Sequence, residues 1–216
     1  MSANSEHSES QLEPGAGPLD GERNRDARAI AMTVCSPVRP WYRRSPSGWY
    51  QRGLPWLSAV FTAGRAFPER SETIRKLSFI HFARWIVIRR LPDHGQPRER
   101  LKQPLLMFES NYNGSFDQYI DGFANILTSG MTYIWGTSYG FPGPKPVAPF
   151  KKYINGNEFQ AAHYYSAYPG VTITMATSAL TVEQELEKLG GRTEDVEPEV
   201  FAAEYRAFLT KCQRHL

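Results

Sequence analysis

Glu109, Asn111 and Asn113 alternate along the segment Leu105 to Tyr112 and into the Asn-Gly turn at 113 and 114. If that segment is a strand, alternation sets all three on one face, where a carboxylate and two amides offer acceptors and donors to a polar ligand. Ser115 follows at once, with Gln118 three positions later, which is the capping-box spacing that opens a helix. The unpaired N–H groups of such a helix start attract anions. The same residues also have a plainer reading, in which the asparagines shape the turn and Glu109 pairs with Arg84 or Arg89 across a hairpin.

His81 and His163 are the histidines that fall in expected extended segments. An imidazole there would suit proton transfer near neutral pH, or a metal or haem ligand, yet neither sits in a motif for those roles. A lone histidine among aromatics is more often a hydrogen-bonded core residue, and that is the expectation for both. Tyr164, beside His163 and followed by Tyr165 and Tyr168, adds phenols that could line an apolar pocket with polar tips. The ligand-binding candidates are therefore His81, Arg84, Glu109, Asn111, Asn113, His163 and Tyr164. No catalytic residue is assigned, no metal set is expected and no cofactor is identified. Cys35 and Cys212 lie far apart and outside any C-x-x-C pattern. Serine-hydrolase, phosphate-loop, zinc-protease and dinucleotide motifs do not occur.

A second candidate surface lies in a stretch without acids from 27 to 68, where arginines alternate with tryptophans and tyrosines. Trp41, Arg43, Arg44, Trp49, Trp56 and Phe61 fit an interfacial segment, with rings at headgroup level and arginines meeting anionic lipid. The alternative is that the short apolar helix after Pro55 packs on the core. The prolines of this stretch argue against a nucleic-acid module, so nucleic acid is disfavoured as a partner.

The elements that must position these groups follow from the pattern. Residues 1–26 carry six acids and two arginines and almost no large apolar side chain, so they read as a disordered acidic head. Residues 27–69 form a basic aromatic segment with a short amphipathic helix. An α+β domain is expected over 70–190 and a C-terminal helix over 191–216. Within the domain, Leu77 to Ile88 and Leu105 to Tyr112 read as strands, and Phe116 to Leu127 reads as a helix. Met131 to Trp135 and Val171 to Thr177 read as short strands, Phe150 to Phe159 as a short helix and Ala161 to Tyr168 as extended. Thr181 to Leu189 and Pro198 to about Cys212 read as helices. The class is α+β: a ferredoxin-like layer sandwich of a mainly antiparallel sheet with packing helices.

The whole chain has 216 residues, 41% of them hydrophobic, and a net charge of +3. That modest total hides a block from 27 to 104 with 15 basic residues and four acids, an excess that steers anions or anionic lipid. No run reaches the ~20 apolar residues needed to span a bilayer, and the acidic start lacks the features of a secretory signal.

The segments Leu77-Ser-Phe-Ile-His-Phe-Ala-Arg-Trp, Phe108-Glu-Ser-Asn-Tyr-Asn-Gly-Ser-Phe-Asp-Gln-Tyr-Ile-Asp and His163-Tyr-Tyr-Ser-Ala-Tyr-Pro together resemble a group of uncharacterised, mostly actinobacterial proteins, over about residues 32–177. The strand, hairpin, strand and capped helix also resemble ferredoxin-like dimeric α/β-barrel proteins, a superfamily that includes dye-decolourising peroxidases and small monooxygenases. The G-x-x-D-G and proximal-histidine context of those peroxidases is not recognisable here, so their haem chemistry is not carried over.

The expected function is a small-molecule or lipid-linked binding protein or enzyme, acting in the cytoplasm or at the inner membrane surface. The rivals are a haem- or cofactor-assisted oxidoreductase of the barrel type and a non-catalytic membrane-surface adaptor. Partners expected on this reading are a small-molecule or lipid ligand, an anionic membrane surface and a second copy in a homodimer.

Overall fold

The structure is a computed structural model that describes residues 24–39, 43–44, 50–51, 53–66, 77–97, 101–192 and 196–215. Its frame is a five-stranded sheet in the order β1-β2-β6-β5, with β7 also on β2. These strands are β1 (Arg25–Asp26), β2 (Ala29–Pro37), β5 (Ile80–Ile88), β6 (Leu105–Tyr112) and β7 (Glu158–Phe159), while β3 (Arg43–Arg44) and β4 (Tyr50–Gln51) pair separately. Every pairing is antiparallel. The chain is thus an α+β fold in which helices pack on a mainly antiparallel sheet.

The central strand β6 is legible from its composition, and its bounds coincide with the expected segment. The other central strand, β2, lies in the stretch that the sequence places ahead of the α+β domain. Its pairing runs from Ile30 opposite Tyr112 to Pro37 opposite Leu105, so the sheet begins well before residue 70. The head boundary at 26 also falls inside the fold. Asn24 is buried and donates from Nδ2 to Glu158 Oε1 at 3.2 Å, its Oδ1 accepts the Ala161 N–H at 2.7 Å, and β1 pairs with β2. The expected disordered head therefore does not extend over 24–26, and residues 1–23 lie outside the described residues.

Alternation sends Ile30, Met32, Val34, Leu106, Phe108 and Tyr112 to one face, where they are buried. Against that face pack α1 (Leu54–Ala66), α2 (Phe116–Ile126), α3 (Thr128–Trp135) and α4 (Val147–Asn155). Helix α2 starts where the capping box predicts: Ser115 Oγ accepts the Gln118 N–H at 3.2 Å, and Gln118 Oε1 accepts the Ser115 N–H at 3.4 Å. Tyr119, Ile120, Phe123 and Ala124 form its buried stripe. Gly114, at φ +96°, makes the preceding turn in a region that favours glycine. Lys151 of α4 bridges Asp117 and Asp121 of α2 at 2.7 and 3.1 Å.

Two expected strands are helical. Met131 to Trp135 lies in α3, because the i, i+4 spacing sets Met131 and Trp135 on one buried face. Val171 to Thr177 enters α5 (Ile173–Arg192), whose first N–H groups need an acceptor; Asn113 Oδ1 supplies one to Ile173 at 3.1 Å. The expected helix from Phe150 to Phe159 begins earlier, at Val147, and ends at Asn155 ahead of β7. Helix α6 (Pro198–Cys212) matches its expected span and packs antiparallel to α5 as a hairpin. That hairpin has its own small cluster of Leu189, Phe208 and Cys212, with Val182 against it.

Candidate functional site

The second face of the sheet carries the polar candidates. Across its three long strands, Thr33, Glu109 and Arg84 form one row. Ala31, Asn111 and Phe82 form the next row, and Cys35, Met107 and Ile86 the row on the other side. The side chains of this face on β2 and β6 are half-buried, and Phe82 is 47% exposed. Phe82, Ile86 and Met107 belong to neither hydrophobic cluster of the described residues. They are apolar groups on a face that the core does not use.

Glu109 and Arg84 meet as an ion pair, Nε donating to Oε2, which is the cross-strand partnership of the plainer reading. The hydrogen bond and charge of Glu109 push the Arg84 guanidinium further up. Asn111 Nδ2 donates to the Tyr164 hydroxyl at 2.8 Å. The phenol accepts in that bond, so its own hydrogen is left to donate. Burial, then the nearby Asp26 carboxylate, raise the Tyr164 pKa, while the Asn111 bond pulls it down, and the net direction is upward. Cys35 is raised as well, first by burial and then by the Glu109 charge one row away. A thiol held up in this way is a packing group and a weak donor rather than a thiolate nucleophile.

The remaining candidates lie elsewhere. Asn113 uses both ends of its amide on the backbone, donating to the Arg28 carbonyl at 2.8 Å and accepting from Ile173, so it ties the β1–β2 turn to the start of α5. His81 falls at the register shift between Ile80 and Phe82, where a bulge leaves it exposed. His163 is exposed and lies in no strand, contrary to the extended core position expected from its aromatic neighbours. Its segment is held at the sheet edge instead, where the Ser166 N–H donates to Asp26 Oδ2 at 2.9 Å.

Of the interfacial candidates, Phe61 packs on the main core beside the fully buried Leu57. Trp56 stacks at a tilt on Tyr133 and donates its Nε1–H to the Tyr133 carbonyl at 3.1 Å. Helix α1 thus turns apolar side chains to the core. Arg43 and Arg44 lie on β3, and Trp41 and Trp49 are outside the described residues.

Among the described residues, no group of three or more His, Cys, Asp or Glu is arranged to hold a metal ion. Within the same residues, no helix is long and apolar enough to cross a membrane. Sequence reasoning missed Thr33, Cys35 and Met107 as members of this face, whereas the alternation of Leu77 to Ile88 already sets Ile86 beside Phe82 and Arg84. The signal for the first two was present, since Ile30, Met32 and Val34 alternate with Ala31, Thr33 and Cys35. Set beside known proteins, the chain matches no family model, and no curated protein or solved structure matches it.

Proposed function

We propose that the chain is a binding protein for a small amphipathic molecule, lipids among that class, held on the outer face of the sheet. The carrying observation is the composition of that face. Apolar Phe82, Ile86 and Met107 surround a polar row and belong to neither packed cluster. An apolar body lying on these three side chains would remove them from water at about 25 cal/mol per Å². The polar end would meet the Tyr164 hydroxyl hydrogen, or an anionic group would meet Arg84, whose side chain is 60% exposed.

Native mass spectrometry of the purified full chain tests this. The parent is expected to carry a non-covalent small-molecule adduct, and Met107→Arg is expected to lose it while its thermal midpoint stays within a few degrees. An adduct retained in full by Met107→Arg and by Phe82→Arg would place the ligand elsewhere.

A further inference from the structure

The hairpin of α5 and α6 has two unlike sides. On one side Arg192 pairs with Glu204 at 3.5 Å, and Glu185 holds Lys211 at 2.6 Å and Lys188 at 2.7 Å. A step of one residue turns about 100° around a helix axis. In two antiparallel helices, steps in the same chain direction carry both side chains to the same side of the pair. Leu186 follows Glu185 and Tyr205 follows Glu204, so both fall on the side opposite the ion pairs. Phe201 and Leu209 share the row of Tyr205 at four-residue spacing, and the rings of Phe201 and Tyr205 stack at 6.0 Å. On α5, Met175, Val182 and Leu186 continue the apolar row at spacings of seven and four.

This side is open. Met175, Leu186, Phe201, Tyr205 and Leu209 are 48, 53, 46, 42 and 39% exposed. Half of five large side chains amounts to roughly 400 Å² of apolar surface. A standard interface takes ~800 Å² from each partner, a little over half of it apolar, so the row has the size of such an interface's centre. Its borders are charged: by helical periodicity Glu183 and Glu187 edge it on α5, and on α6 Arg206 edges it opposite them, with Glu199 two turns further toward the start of that helix.

We infer that this side docks a second copy of the same chain, the two hairpins forming an intermolecular four-helix bundle. A two-fold axis parallel to the helices sets α5 of each copy over α6 of the other. Every helix then runs antiparallel to its neighbours, and Glu187 lies along the same edge as Arg206 of the second copy. The perpendicular two-fold would set α5 on α5 and bring the acids together. The acidic border also disfavours an anionic lipid surface as the occupant. This inference is independent of the ligand reading, since it uses no residue of the outer sheet face.

Sedimentation velocity on the full chain over a hundredfold concentration range tests it. The parent should show a monomer–dimer equilibrium, and Leu186→Lys combined with Tyr205→Lys should stay monomeric throughout. Glu187→Arg should weaken the dimer at least tenfold, and adding Arg206→Glu should restore it to within about threefold of the parent. The two charge variants change exposed positions only, so they still report if the lysine variant unfolds. A parent that is monomeric at every concentration overturns the inference. So does a dimer unmoved by the lysines, a charge swap that fails to restore, or a parent that stays monomeric but sediments with anionic vesicles at low salt.

Discussion

In the sheet domain Phe108 lies among Trp85, Trp135 and Phe123, with ring centroids 5.1, 5.1 and 6.1 Å away, inside a cluster of seventeen buried residues among those described. In the α5–α6 arm the buried apolar set is Leu189, Phe208 and Cys212, and the adjoining Phe201 and Tyr205 stack on each other in the open. Both regions carry regular apolar stripes. The difference is that a sheet face gathers side chains from several elements distant in sequence, whereas a lone helix pair shares one seam and leaves its other apolar side in water. Helical periodicity is thus enough to make an element and not enough to close a core.

Phe108→Ala should have the largest effect, removing about 3–5 kcal/mol from the sheet domain. Chemical denaturation should show the midpoint fall in one cooperative step, and a small, local loss would mean the aromatic cluster is not the shared core. Phe208→Ala should act only on the arm. Hydrogen exchange should speed across 173–192 and 198–212 while β2 and β6 keep their protection; equal loss in both regions would merge them into one unit and break the comparison. Ser115→Ala should cost about 0.5–2 kcal/mol, because it removes the acceptor for the Gln118 N–H. An unchanged midpoint would mean that the cap contributes nothing to α2.

The smallest effect sharpens the contrast through pH. Hydrogen bonds from Lys188 and then Lys211 hold the Glu185 carboxyl down at about 2, below its ordinary value of about 4.3 in an unfolded chain. The folded value is the lower one, so the contribution is complete above about pH 4.3 and fades as pH falls toward 2. Arm helicity followed by hydrogen exchange should decline in that window before the sheet does, and Glu185→Gln should remove the pH dependence. An arm that holds its protection down to pH 2 in the parent would show that these ion pairs carry little.

Local chemistry determined much of the fold. The alternation of Leu105 to Tyr112, the Asn-Gly turn, the capping box at Ser115 and the amphipathic period of α6 were all legible, since each depends on neighbours within about four residues. The Arg84–Glu109 pair, 25 residues apart, was foreseeable as one of two partnerships across the expected hairpin, because opposite charges on two neighbouring strands pair across it.

Other features depended on partners far along the chain. Ala29 to Pro37 became a central strand because β6 and β7, about 80 and 125 residues later, flank it. Met131 to Trp135 and Val171 to Thr177 carry β-branched and aromatic residues that suit a strand, yet a buried i, i+4 face and an acceptor from Asn113 made them helical. The candidate site shows the same division. Glu109 and Asn111 share a face by alternation alone. Only tertiary pairing brought Thr33, Cys35 and Tyr164 beside them and left His81 and His163 exposed, because propensity is a weak local preference and burial is decided by what packs on top.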